Sequence, residues 1–193
     1  MAHIIKKESS VRVLRWEELA ALDKELLLKA AEARRNAVAQ YSHYQVGAAF
    51  LWADGVVSIG CNVENCPYEA LHAERCAIGN RIVEHGLGLI NRCAVIGAPE
   101  GADRRLPPPV LSDEEFRERV KGLSFRDASV CCGQCLQDIM EFAGGAEEGI
   151  TLMEVVDDVV LQITLNDALP THFGPIHLGV DYNKILAQRK AKK

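Results

Sequence analysis

Two short stretches of this 193-residue chain carry side chains that could do chemistry together: His72-Ala73-Glu74, and Cys132-Gly133-Gln134-Cys135 some sixty positions later. One imidazole, two thiols three apart and a spare carboxylate make up the parts of a catalytic zinc site. Zinc accepts thiolate and imidazole, and a site that does chemistry leaves the fourth position to water while a nearby carboxylate moves protons. Cys131 opens a rival reading, because a third thiol could close the coordination and make the site structural. Adjacent residues rarely reach one ion without strained geometry. The open site is therefore preferred, with His72, Cys132 and Cys135 as ligands and Glu74 left free.

Such a site makes demands on the chain around it. In the middle of a helix, residues two apart point to nearly opposite sides, so His72 and Glu74 could not share one site there. At a helix start the first side chain leaves the axis at a different angle, and both can reach one point. The polar loop 62–68, with Pro67, places His72 in such a first turn, ahead of a helix over about 70–84 stopped by Gly86. Cys132 and Cys135 open a second helix, 133–142, and are neighbours on one of its faces. Two helix N-termini then converge, and their free N–H groups and positive dipole ends stabilise thiolates and other anions.

The remaining elements follow from periodicity. Leu19, Leu22, Leu26, Ala30, Ala33 and Ala37 recur three and four apart and predict an amphipathic helix from Trp16 or Asp23 to about Gln40. Asp23 could cap a shorter version of it, leaving 15–22 as a separate turn. Residues 45–52 and 56–61 read as strands joined across Asp54-Gly55, a pair suited to a tight hairpin turn. Further strands are expected at 92–96, 150–156 and 159–165, and a last short helix after a loop at 169–175. Residues 1–15 read as a loosely tied extension and 186–193 as a solvated basic tail. Between them, 16–185 form one domain, with an exposed insertion at about 98–126 that has no apolar period for a core of its own. The order of elements predicts an α/β fold: a three-layer α-β-α sandwich around a mixed five-stranded sheet.

Composition narrows the function. A formal net charge of −5 with 25% charged residues argues against a protein that tracks a phosphate backbone, and no nucleic-acid partner is expected. No stretch is apolar enough to span a bilayer, and the start shows no secretory signal. The expected compartment is the reducing cytoplasm, where seven cysteines are thiols or ligands rather than disulfides. Cys61, Cys66, Cys76 and Cys93 read as small core residues.

The chain resembles the cytidine deaminases, and well beyond the zinc residues. The run from Tyr41 to Ala49 (YSHYQVGAA) is similar to the family's "YSxFKVGAA", and Gly60-Cys61-Asn62-Val63-Glu64-Asn65 to its "GxNxEN". His72-Ala73-Glu74-Arg75, Cys132-Gly133-Gln134-Cys135-Leu136-Gln137 and Phe173-Gly174-Pro175 complete five motifs in the family's order. The resemblance implies one Zn2+ per chain on His72, Cys132 and Cys135, with water in the open position. It makes Glu74 the proton shuttle between that water, base N3 and the departing amino group. The backbone N–H of Ala73 would hold the base carbonyl, and Asn62 and Glu64 the ribose hydroxyls. Tyr44 would pack on the base, and Phe173 would close the pocket, often from a neighbouring subunit.

The expected function is hydrolytic deamination of cytidine and 2′-deoxycytidine in pyrimidine salvage, by a homotetramer or a homodimer. The alternatives are a related nucleoside such as blasticidin S, or a zinc-bound binding module without turnover. An intact Glu74 argues against the module. Arg75 would tune the charge at the zinc. Relatives with three thiolate ligands use such an arginine to offset surplus negative charge, whereas His72 leaves this site one charge more positive. The departures are Cys131 in place of a proline, Leu136 in place of a common arginine, Gln45 in place of a lysine, and the insertion.

Overall fold

A computed structural model describes residues 3–4, 6–67, 69–102, 106–128 and 130–191. Positions 1, 2 and 5 of the expected extension, 68 of the polar loop, 103–105 of the insertion and 192–193 of the tail lie outside the described residues. The elements are β1 (Val11–Leu14), α1 (Ala21–Arg34), β2 (Tyr44–Trp52), β3 (Val57–Cys61), α2 (Ala73–His85), β4 (Ile90–Pro99), α3 (Asp113–Gly122), α4 (Gly133–Glu141), β5 (Thr151–Val156), β6 (Val159–Thr164), the single turn α5 (Leu165–Ala168) and α6 (Tyr182–Lys190).

Alternation along β2 sets the layering. Ala48, Phe50 and Trp52 face one side and Ala49 and Leu51 the other, and all five are buried. A strand buried on both faces needs a helical layer on each. On one side α1 packs Leu26, Leu27 and Ala30 against Ala49, Leu51, Ala94 and Ile96. On the other, Ala73, Ala77 and Ile78 of α2 and Leu136, Ile139 and Met140 of α4 cover Ala48, Phe50, Trp52, Cys93 and Val95. The three layers are those expected.

Among the described residues the sheet has six strands, not five, in the order β1-β6-β5-β4-β2-β3. Only β4 and β5 run parallel; every other neighbouring pair is antiparallel. The additional strand, β1, comes from the segment expected to be loosely tied. Val11 pairs with Ile163 and Leu14 with Val160, which covers the edge that β6 would otherwise expose. The hairpin turns at Asp54-Gly55 as expected, with Gly55 at φ 85°.

Other expectations are corrected. The first helix ends at Arg34 rather than near Gln40, and a separate turn at Trp16–Glu18 precedes it. Asp23 does not cap it: its buried carboxylate accepts from Arg92 Nη1 at 2.9 Å and from Gln162 Nε2 at 3.4 Å, tying α1 to the sheet. The fourth strand runs to Pro99 and takes in the expected start of the insertion. The insertion then packs Leu111, Phe116 and Leu123 against Ala128, Val159 and Leu161, borrowing the sheet's core. The last helix continues to Lys190, into the expected tail. Cys93 is buried, but Cys66 is exposed and Cys61 and Cys76 are half-buried. No described helix is long and apolar enough to cross a membrane.

Candidate metal centre and substrate cavity

His72 and Cys132 occupy the same structural position on two different helices. Each is the residue before the first turn, His72 at φ −73°, ψ 150° ahead of α2 and Cys132 at φ −69°, ψ 160° ahead of α4. Extended backbone at that position throws the side chain across the helix mouth. His72 can therefore share a site with Glu74, which is two residues on inside the first turn. The mouth of α2 lies hard against β3 because residue 60 is glycine. A Cβ on Gly60 would stand 2.4 Å from both the Ala73 carbonyl oxygen and the Ala77 nitrogen.

The donor atoms converge. His72 Nδ1 lies 3.2 Å from Cys135 Sγ and 3.4 Å from Cys132 Sγ, and all three ligand atoms fall within 4.8 Å of one another. Tetrahedral zinc with ordinary Zn–N and Zn–S bonds holds its donors about 3.5–4 Å apart, so this group fits zinc. The backbone N–H of Cys135 donates to Cys132 Sγ at 3.5 Å, an N-terminal amide aimed at a prospective thiolate. Burial, with Glu74 and Cys132 close by, pushes the Cys135 thiol above its ordinary range. A bound dication would relieve that crowding of acidic groups.

Cys131 takes a different direction. Its thiol meets Cys93 on β4, and this contact, more than burial, pushes its pKa well up. Among the described residues the converging group is His72, Cys132 and Cys135, without Cys131.

A cavity of about 360 Å³ beside the group is lined by His72, Ala73, Glu74 and Cys132 together with Tyr44, Val46, Asn62, Val95, Val130 and Cys131. Glu74 is buried and meets the Cys135 sulfur. Tyr44 lays its ring over Gly97, where a Cβ would come within 2.9 Å of the ring. The Asn62 amide is tied to β2: its oxygen accepts from the Val46 N–H at 2.8 Å and its nitrogen donates to the Tyr44 carbonyl at 3.0 Å.

Glu64 lines an adjoining space of about 290 Å³ that shares Ser42 and Ala70 with the first. Its carboxylate accepts from the N–H groups of Tyr41 at 2.8 Å and Ser42 at 3.1 Å. The Ser42 hydroxyl and the Tyr41 N–H hold its pKa below the ordinary carboxylate value. Among the described residues no lysine or arginine lines either space. Phe173 is placed elsewhere: it is 61% exposed, stacks on His177 at 5.2 Å and lines neither space.

Sequence reasoning missed the residues that hold Arg75. Asp138 Oδ2 accepts from Arg75 Nε at 2.5 Å and Oδ1 from Nη2 at 3.4 Å. Gln134, its side-chain oxygen turned to the guanidinium, accepts from Nη2 at 2.8 Å. The available signal was spacing: Arg75 follows His72 by three residues and Asp138 follows Cys135 by three, one turn along each converging helix.

The profile of the "Cytidine and deoxycytidylate deaminase zinc-binding region" matches residues 20–148, which include His72, Glu74, Cys132 and Cys135. A cytidine deaminase of Halalkalibacterium halodurans is 32% identical over 148 residues, 76% of this chain and all of that one. A cytidine deaminase of Mycobacterium tuberculosis is 30% identical over 145 residues, 75% of this chain and 84% of its own. The crystal structure of a Mycobacterium tuberculosis cytidine deaminase superposes with a TM-score of 0.53 at 25% identity, covering 80% of this chain and 98% of that one. The cytidine deaminase of Burkholderia pseudomallei gives a TM-score of 0.53 at 28% identity, covering 77% and 97%. Agreement therefore extends from sequence to fold, and on that ground this chain is a hydrolytic deaminase belonging to the cytidine and deoxycytidylate deaminase family.

Proposed function

We propose that the protein deaminates cytidine and 2′-deoxycytidine to the corresponding uridines, releasing ammonia, in pyrimidine salvage. One observation carries the reading. His72, Cys132, Glu74 and Asn62 share the wall of one cavity, with Cys135 buried beside His72 and Cys132, and an adjoining space holds Glu64, with no lysine or arginine along either among the described residues. A neutral nucleoside needs a diol-binding amide and carboxylate but no phosphate-binding cation.

His72, Cys132 and Cys135 hold one zinc ion per chain. Bound zinc supplies a Lewis acid that makes water nucleophilic near neutral pH. Glu74 delivers protons to base N3 and to the departing amino group, and its burial next to the ligands excludes competing water. The Ala73 N–H holds the base carbonyl, Tyr44 packs on the base, and Asn62 and Glu64 bind the ribose hydroxyls. Glu64 also pins the Tyr41–Ser42 backbone that flanks the ribose. Phe173, exposed on its own chain, closes a neighbouring copy's pocket in a homotetramer or a homodimer. Seven cysteines free of disulfides support the reducing cytoplasm as its compartment.

The test is incubation of purified protein with cytidine, deoxycytidine, cytosine, CMP and blasticidin S, following absorbance loss and ammonia. Turnover of the two nucleosides is expected. Turnover of neither would overturn the reading, and turnover of blasticidin S alone would redirect it.

A further inference from the structure

We propose that Asp138 is a positioning residue that neutralises Arg75, so that the metal centre feels no net charge from that side. The inference rests on the zinc reading given above. Two thiolates and a neutral imidazole already balance a zinc dication, so an uncompensated guanidinium one turn from His72 would repel the metal. The structure supplies the compensation. Arg75 and Asp138 are only 34% and 31% exposed, and their two-point contact bridges α2 to α4. Gln134, next to Cys135, accepts from the guanidinium as well. Both Arg75 and Asp138 therefore leave the rim of the site as one neutral, planar unit, with the guanidinium turned toward the carboxylate. On this inference Asp138 offsets the surplus positive charge expected from Arg75.

A bridge that merely joins two helices and one that also balances charge predict different things. Removing either partner would loosen a mere bridge. Removing them one at a time from a charge-neutral pair changes the field at the metal with opposite signs. The experiment measures zinc affinity by chelator competition, and the absorption spectrum after cobalt substitution, in wild type, Asp138→Asn, Arg75→Gln and the double variant.

Asp138→Asn is expected to weaken zinc binding roughly three- to tenfold and Arg75→Gln to hold or tighten it, with the double variant returning toward wild type. Both single effects shrink as salt rises. Equal weakening in both single variants, or no change in either, would overturn the proposal. If a single variant fails to fold, the double variant and Asp138→Glu, which keeps the charge, decide the matter by matching wild type or not. Wild-type protein that turns over cytidine with no zinc would instead overturn the zinc reading, and this proposal with it.

Discussion

Gly60 and Ala73 touch so closely that β3 and α2 leave no room for a single methyl group. A Cβ on Gly60 would meet the Ala73 carbonyl oxygen and the Ala77 nitrogen, both at 2.4 Å, and both are backbone atoms that cannot rotate away. Gly60→Ala is expected to cost about 1–3 kcal/mol of stability and to move the mouth of α2 off the thiols. Urea denaturation and zinc content measure the two effects. A variant with full zinc content and activity would show that the contact does not position the site.

Ligands and proton carrier separate by what each loses. Cys132→Ala and Cys135→Ala are expected to lose zinc and activity together. Glu74→Gln should keep zinc while the rate falls about 10²–10⁴-fold. Metal analysis beside a cytidine assay distinguishes them, and wild-type turnover in Glu74→Gln would refute the proton-carrier role.

Chelation tests whether the metal is a staple or a tool. The main core lies in the three layers and does not depend on the metal, so the stripped protein should keep its far-UV circular dichroism. It should melt roughly 10 °C lower, because bound metal stabilises only the folded state. Global unfolding on chelation would make the site structural.

Arg81 is 1% exposed, pairs through Nη2 with the half-exposed Asp54 at 2.5 Å, and stacks over Trp52 at 5.3 Å. Its Nε and Nη1 are buried without hydrogen-bond partners. A buried charge is costly to strand and cheap to replace by a hydrophobe of similar length. Asp54→Asn is expected to destabilise by about 2 kcal/mol, whereas Arg81→Met should stay within about 1 kcal/mol of wild type. The reverse order in urea denaturation would show that the ion pair itself, not its desolvation, dominates.

Tyr182 donates to Glu141 Oε1 and joins α6 to α4. Burial first, then that carboxylate, raise its pKa to about 12. The folded state thus favours the neutral phenol. Its contribution is whole below the ordinary tyrosine value of about 10 and is lost as pH climbs from there through the raised value. Melting temperatures of wild type should fall more steeply over that window than those of Tyr182→Phe. Parallel curves would dismiss the linkage.

Much of this was legible in the chain because it is local. Asp54-Gly55 announced the hairpin and its two strands, and His72 after Pro67 a helix mouth. Illegible features were those set by distant partners. The four residues of β1 alternate too briefly to signal a strand, and their partner in β6 lies about 150 positions on. Asp23 resembles a cap until Arg92 and Gln162 arrive beside it. Cys66 looked like a core residue by type, yet the fold leaves it exposed.

The pairing of β1 with β6 also fixes when the fold can be finished. Val11 leaves the ribosome about 150 residues before its partner Ile163. Until β6 emerges, β1 has no neighbour, and the strands that emerge after it add in turn from the β3 edge of the sheet toward β6. The high sequence separation makes that closing step slow relative to the hairpin, which needs only its own turn. A nascent chain cut short before β6 would carry the His72 and Cys132 arms already made, on a sheet whose edge still lies open.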